Sequence, residues 1–498
     1  METAKFAFCF FHYSSGRSDS YAKKLKLDVT IPSQEMVRFI NELSKIQLDV
    51  NDKFLMLPDN VYFEGKPHYR TNLFIRQCYR DLANIILEIV NDGSKHPYFM
   101  IHGNPGIGKS YFVYYLLHLL LQHDNTIVWE KSQNISQAVL ITGSKNTFTI
   151  QKGPLEVFEG YLEKKTTWYI VDGTSPKNVV ARTILICSTR KEYFHEYLKF
   201  HEVDIRVMPV WAEEEIEECR NKLYSNLSTD LVLTLYSKRG GIPRFILQNA
   251  NNEVFQKRLE YSLEKPRNLS HIIRCPGHFS DDVTHQYLQV TAEEHYREGP
   301  LRFLSPYISR KLAGVYEREE KASLRDFLSI SKGTVEMSCL RGNLFEGYSH
   351  NHIMRGGHFH IRSLNASSLT TDEIVSISGT EFESFGKLDE IVNDSTKYFQ
   401  PKSKTFCAID SLVPPNQLFQ MTINQNHGTK LHGLENVIKV LLPMSEKKIR
   451  LYFVVPEDIY ADFKTQNYLT VKDKVASRIP TVITERVEQY VLEIKLEV

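Results

Sequence analysis

Eight residues, Gly103-Asn104-Pro105-Gly106-Ile107-Gly108-Lys109-Ser110, read G-x-x-x-x-G-K-S. Their types and spacing suit chemistry on phosphate. Glycines let a backbone curl until successive amides point at one anion. A helix that starts near Lys109 adds the positive end of its dipole. The Lys109 ammonium is a point charge for the β- and γ-phosphates, and the Ser110 hydroxyl is an oxygen ligand for Mg²⁺. ATP or GTP with Mg²⁺ is the ligand pair this pattern predicts.

A magnesium ion held this way needs a second carboxylate, usually at the end of a neighbouring strand. The run Trp168-Tyr169-Ile170-Val171-Asp172 is an apolar strand ending in Asp172. Lys109 and Asp172 are therefore the residues expected to act on the nucleotide. Many ATPases place a glutamate directly after this aspartate to activate water. Gly173 stands there instead, so the general base is unassigned and slow hydrolysis or a switch is expected. Ser188 or Thr189 at the end of another apolar run could sense the γ-phosphate, and Arg190 could reach it. Arg244, after the rigid turn Gly240-Gly241-Ile242-Pro243, is a further candidate phosphate contact.

A second set lies near the carboxyl end. Metal-dependent nucleases converge acidic groups on Mg²⁺ beside the scissile phosphate. Glu346 falls in a helical stretch, Asp410 ends an apolar run, and Gln420 lies in the next such run. These three match by position the helix glutamate, strand aspartate and Glu/Gln-x-Lys of the restriction-endonuclease-like fold. Glu346 and Asp410 would be the metal ligands. Thr422 stands where the lysine would be, which leaves cleavage open. His350, His352, His358 and His360 read as surface histidines of a helix and a strand, and His427 as a residue able to approach Asp410.

These residues need elements to hold them. Apolar runs at 98–101, 126–130, 137–142, 168–171, 184–188 and 205–208 alternate with polar or helical connections, which predicts a parallel sheet with helices on its faces. Residues 212–224 and 231–236 read as helices of a lid. Four regions follow: a small α+β module at 1–60, a nucleotide-binding α/β domain with helical lid at 61–260, a mostly helical connector at 261–334, and an α+β domain at 335–498. The last reads α-β-β-β-α-β, with strands at 405–410, 418–424 and 450–456 and a helix at 430–442.

The 498 residues carry 61 Lys+Arg against 60 Asp+Glu, so no global basic field points to nucleic acid. At 42% apolar content the chain is too hydrophobic for disorder. Its seven cysteines are scattered, which suits a reducing compartment and argues against a zinc ribbon. The apolar run near residue 10 reads as a buried strand, not a secretory signal. The longest apolar stretch, 111–121, is about half a membrane span, so no membrane is expected.

In order along the chain, the phosphate loop, residues 168–173, Met208-Pro209-Val210-Trp211, residues 240–244, Leu340-Arg341-Gly342-Asn343-Leu344-Phe345-Glu346, Gly356-Gly357-His358-Phe359, Ala408-Ile409-Asp410, Gln420-Met421-Thr422 and Tyr452-Phe453-Val454-Val455-Pro456 resemble the family of Crinkler effectors and retrotransposon hot spot proteins. The resemblance implies a P-loop NTPase of the AAA/STAND type coupled to a restriction-endonuclease-like domain. It implies a nucleic-acid partner, DNA ahead of RNA, and a nuclear location, in a host for the secreted members, with the cytoplasm as the alternative. The delivery header of the oomycete members is not seen, so delivery into a host is not expected. The alternative function is a nucleotide-dependent binding or interaction switch whose nuclease-like domain is inactive. Assembly with further copies of the chain stays open.

Overall fold

The computed structural model describes residues 29–495 apart from 70, 94–96, 132–136, 145–146, 189–193, 201, 265–283, 320–323, 325–327, 329–334, 366–371 and 403–407. The apolar run near residue 10, Thr189 and Arg190 lie outside the described residues. The chain divides into two compact units. One comprises residues 1–100, 110–187 and 192–204; the other comprises 101–109, 188–191 and 205–498.

Seven strands form the first sheet: β1 Tyr98–His102, β2 Ile127–Lys131, β3 Ala138–Ser144, β4 Thr147–Gly153, β5 Trp168–Asp172, β6 Arg182–Ile186 and β7 Asp204–Val207. Their order is β4-β3-β2-β5-β6-β1-β7. β2, β5 and β6 run parallel, with Lys131 beside Asp172 and Asp172 beside Ile186 in register. All five residues of β5 are buried, as a strand covered on both faces requires. The sheet departs from the all-parallel expectation at one edge. β3 pairs antiparallel with β2, and β4 antiparallel with β3. The connections before β3 and β4 are too short for the crossover a parallel neighbour needs.

In the first unit, the helix Gln34–Lys45 is capped by Ser33, whose hydroxyl accepts the Met36 amide at 3.3 Å. Its buried Met36, Phe39, Ile40 and Leu43 follow helical spacing. The helix Gln77–Asn91 follows the strand Asn72–Phe74, which pairs antiparallel with Phe54–Met56. The helix Lys109–Gln122 follows the phosphate loop and is apolar on nearly all sides, which makes it a core element.

In the second unit, the helices Glu213–Leu223 and Thr229–Arg239 lead to a short π-helical turn, Arg244–Gln248. The connector is less helical than expected: Leu288–Ala292 and Glu298–Phe303 form an antiparallel hairpin within it. The helices Pro306–Glu319 and Val335–Arg355 follow and pack together.

An eight-stranded mixed sheet completes this unit: β8 Gly357–Ser363, β9 Asp372–Ile377, β10 Glu381–Phe385, β11 Lys397–Pro401, β12 Ser411–Val413, β13 Gln417–Met421, β14 Ile449–Pro456 and β15 Val487–Ile494. The order is β9-β8-β15-β14-β13-β12-β11-β10. The helix Leu431–Leu441 buries Leu434, Val437, Ile438 and Leu441 in a core with Leu418, Leu451 and Phe453. The sheet therefore holds more strands than the α-β-β-β-α-β reading. Residues 405–407 of the expected strand at 405–410 lie outside the described residues, and Asp410 precedes β12 rather than ending a strand.

Candidate functional site

The loop at 103–110 joins the end of β1 to the helix Lys109–Gln122. Two of its glycines, Gly103 and Gly106, are held to that type by space. A side chain at Gly103 would place its first carbon 2.5 Å from the Met208 carbonyl oxygen. At Gly106, φ is +87°, and the same carbon would stand 2.9 Å from Arg244 Cβ. Arg244 thus lies directly over the loop.

Lys109 Nζ donates to the Gly103 carbonyl at 2.8 Å and the Asn104 carbonyl at 2.7 Å, so the ammonium lies along the loop. Asn104 Nδ2 donates to the Leu288 carbonyl at 2.7 Å, tying the loop to the hairpin. Ile107 is fully buried, and its carbonyl accepts Trp211 Nε1–H at 2.7 Å. Pro105 and Gly108 complete the turn, with Gly108 at φ +99°.

Ser110 Oγ donates to Asp172 Oδ1 at 3.2 Å, and Asp172 is buried. Two oxygen ligands side by side fit a hard cation such as Mg²⁺, which keeps several waters. Lys131, the register neighbour of Asp172, lies close enough for the two charges to act on each other. His102 ends β1. Burial first, and then the Lys109 charge, push its pKa down to about 4.

At the carboxyl-terminal set, Glu346 lies on the helix Val335–Arg355 with Oε1 3.9 Å from His350 Nε2, one turn on. Asp410 Oδ2 accepts the Met421 amide at 2.7 Å. Gln420 Oε1 accepts the Thr429 hydroxyl at 2.7 Å, and Gln420 Nε2 lies 3.0 Å from His427 Nε2. The amide donates and His427 accepts, which leaves the imidazole proton on Nδ1. Thr422 Oγ1 accepts the Asn424 amide at 3.0 Å and so shapes a turn.

The sequence gives no sign of Tyr398, which links this region. Its buried hydroxyl is 2.6 Å from His350 Nδ1 and 2.5 Å from Ser411 Oγ. Burial raises its pKa, and the charges of Asp410 and Glu346 raise it further. Burial lowers the pKa of His427, against the Glu346 charge. Glu346 and Asp410 therefore both act on Tyr398, while Gln420 touches His427. Among the described residues, no group of three or more His, Cys, Asp or Glu is placed to hold a metal. His352 Nε2 instead lies 3.4 Å from Glu317 Oε1, and His358 Nδ1 2.9 Å from Ser376 Oγ.

The fold and the loop define a class: a mixed α/β chain with a parallel central sheet and a strand–loop–helix of phosphate-loop pattern. Among known proteins, the chain is similar to Crinkler effector protein 15 and Crinkler effector protein 16 of Phytophthora infestans. Each is 24% identical over 419 residues, which is 81% of this chain and 66% of the relative. The chain thus spans just under two thirds of the curated relatives it matches. No protein-family model matches the sequence. Among solved structures, the Thermotoga maritima RuvB Holliday junction branch migration motor aligns with 57% of this chain and 89% of its own, at 12% identity. Its TM-score of 0.25 is too low to define a shared fold. Among the described residues, no helix is long and apolar enough to cross a membrane.

Proposed function

We propose that the chain binds a nucleoside triphosphate, ATP or GTP, at residues 103–110, and that this binding controls a nucleic-acid-directed carboxyl-terminal domain. The observation that supports it most is the Ser110–Asp172 pair at 3.2 Å, within a glycine loop that tolerates no side chain at Gly103 or Gly106. The loop amides and the start of the helix receive the phosphates. Lys109 exchanges its carbonyl partners for β- and γ-oxygens. Arg244, over Gly106, is placed to contact the same phosphates. Mg²⁺, when bound to Ser110 and Asp172, neutralises charge on the β- and γ-phosphates.

Gly173 offers no carboxylate to orient water, so hydrolysis is slow and the bound state persists. Asn104 reports on the loop through Leu288 of the hairpin. From there the chain continues into the helix Pro306–Glu319, where Arg310 Nη1 donates to Gln400 Oε1 at 2.5 Å. Gln400 Nε2 lies 3.1 Å from His350 Nε2, next to Glu346 and Tyr398. The route offers physical continuity between the two candidate sites.

The carboxyl-terminal domain has two readings. In the first, Glu346, Asp410 and Gln420 serve a nuclease acting on DNA. In the second, it binds nucleic acid without cutting it. A specific observation favours the second: Thr422 occupies the lysine position and spends its hydroxyl on the Asn424 amide. Plasmid and single-stranded DNA incubated with Mg²⁺ and ATP separate the two. Nicking that Asp410→Ala abolishes supports the first. A salt-sensitive gel shift with intact DNA supports the second. Absence of both nicking and a shift would contradict the nucleic-acid assignment. The Crinkler likeness makes a nuclear site of action the reading to test by imaging a tagged chain.

A further inference from the structure

Three helices and an edge strand wall a cavity of about 670 Å³ within the second unit. Its size suits a small organic molecule. The helix Pro306–Glu319 gives it one face, at every third or fourth residue from Tyr307 to Arg318. Asn351 and Met354 line it from the helix Val335–Arg355, Glu260 and Leu263 from the helix Glu253–Glu264, and Phe382 from β10. Gly314 keeps the wall open. A side-chain carbon there would stand 3.3 Å from Asn351 Nδ2 and 3.6 Å from Arg318 Nη1, so donors from two helices meet over one glycine.

Unmatched charge in this lining calls for an anion. Arg310 is partly buried, and its Cζ lies 4.2 Å from the centre of the Phe382 ring, which holds the guanidinium in place. Nη1 donates to Gln400. The other guanidinium N–H groups have no acceptor among the described residues and are not sealed off, since they keep accessible surface. Burial pushes the Arg310 pKa down, and the groups that oppose this are the Tyr398 and Tyr307 phenols rather than a carboxylate. Arg341 of the same unit, by contrast, has Asp458 at 3.4 Å. Arg318 and Lys311 have no ion-pair partner among the described residues. The acids of the lining do not fill this gap. Both oxygens of Glu260 take the Tyr307 hydroxyl, at 2.8 and 2.7 Å, and its charge acts on Arg239. Glu264 is exposed at the helix end. A partly buried guanidinium without a counter-charge is costly, and a bound anion would relieve that cost.

We propose that this cavity binds a phosphate monoester with a small apolar or aromatic body. Its dianion matches two guanidiniums that lack a carboxylate, and it has more acceptor oxygens than a carboxylate for three donor side chains. The phosphate oxygens take the Arg310 fork, the Arg318 guanidinium and the Asn351 amide. The body packs on Leu263, Val315 and Met354. The site is separate from the nucleotide reading and does not depend on it.

Calorimetric titration of the full chain with phenyl phosphate, methyl phenyl phosphate and phenol tests this. Saturable binding of phenyl phosphate is expected. The methyl diester, with one charge fewer, should bind about tenfold more weakly, and phenol more weakly still. Arg318→Gln alters an exposed side chain, so the fold should persist while affinity falls by about tenfold. Arg310→Lys keeps the charge and removes the fork, and should lose a similar factor. Lys109→Ala should lose nothing. Four results overturn the proposal. They are no saturable binding of phenyl phosphate, unchanged affinity in either arginine variant, a diester bound as tightly as the monoester, or loss of binding in Lys109→Ala. The third would assign the cavity to a phosphodiester, and the fourth would put the anion in the phosphate loop.

Discussion

Ser110 Oγ donates to Asp172 Oδ1 at 3.2 Å across 62 residues of sequence. The first follows the loop lysine and the second closes a fully buried strand. In the proposed nucleotide site, these two side chains are the neighbouring oxygen ligands of Mg²⁺. Asp172→Asn and Ser110→Ala should therefore reduce Mg²⁺-dependent ATP affinity by roughly tenfold or more, since one charge-assisted contact is lost. Affinity measured in EDTA should change little. Equal losses with and without Mg²⁺ would show that the pair serves the fold rather than the ion.

Gly106 faces Arg244 with no room for a methyl group and at φ +87°. Gly106→Ala should destabilise the chain by at least ~1 kcal/mol in chemical denaturation, because both the space and the backbone conformation resist it. Gly160 is the control: nothing lies within 4 Å of its added carbon. Gly160→Ala, in a helix, should be neutral or stabilise by up to ~1 kcal/mol. Indistinguishable behaviour of the two variants would contradict the close approach of Arg244.

His102 is buried beside the loop, with a pKa near 4 against an ordinary 6.5. The folded chain binds this proton more weakly than the unfolded chain does. The stability that rests on neutral His102 is complete above about pH 6.5 and lost as pH falls towards 4. Its full size is on the order of 3 kcal/mol. His102→Gln should flatten the fall in denaturation midpoint between pH 7 and pH 4.5 relative to the parent. Parallel pH profiles would place the acid sensitivity elsewhere.

Legibility in the sequence follows the range of the interactions. The strand–loop–helix order at 98–122 is local, and a period of apolar residues plus two glycines reveals it. The apolar run ending in Asp172 is equally local, and parallel neighbours share their carboxyl ends at one edge, which brings Asp172 to Ser110. The run at 137–142 reads as a parallel strand, and its antiparallel pairing with β2 and β4 is not legible, because a short apolar run carries no sign of direction. The hydrogen bond from Asn104 to Leu288 spans 184 residues and leaves no trace in either segment's pattern. Tyr398 was missed for the same reason. Its strand looks like any half-polar strand, and only the fold brings His350 and Ser411 to its hydroxyl. Arg244 was legible as a candidate from its turn, but its place over Gly106 depends on packing that spacing does not encode.

The central claim is that the loop at 103–110 holds a nucleoside triphosphate through Lys109. Equilibrium binding of radiolabelled ATP and GTP to the full chain and to Lys109→Ala, with Mg²⁺ present, tests it most directly. The account predicts saturable binding of at least one nucleotide to the parent chain, and a loss of about a hundredfold or more in Lys109→Ala, since the substitution removes a charge that contacts two phosphates. Binding of equal affinity in the variant, or no binding of either nucleotide to the parent, would contradict it.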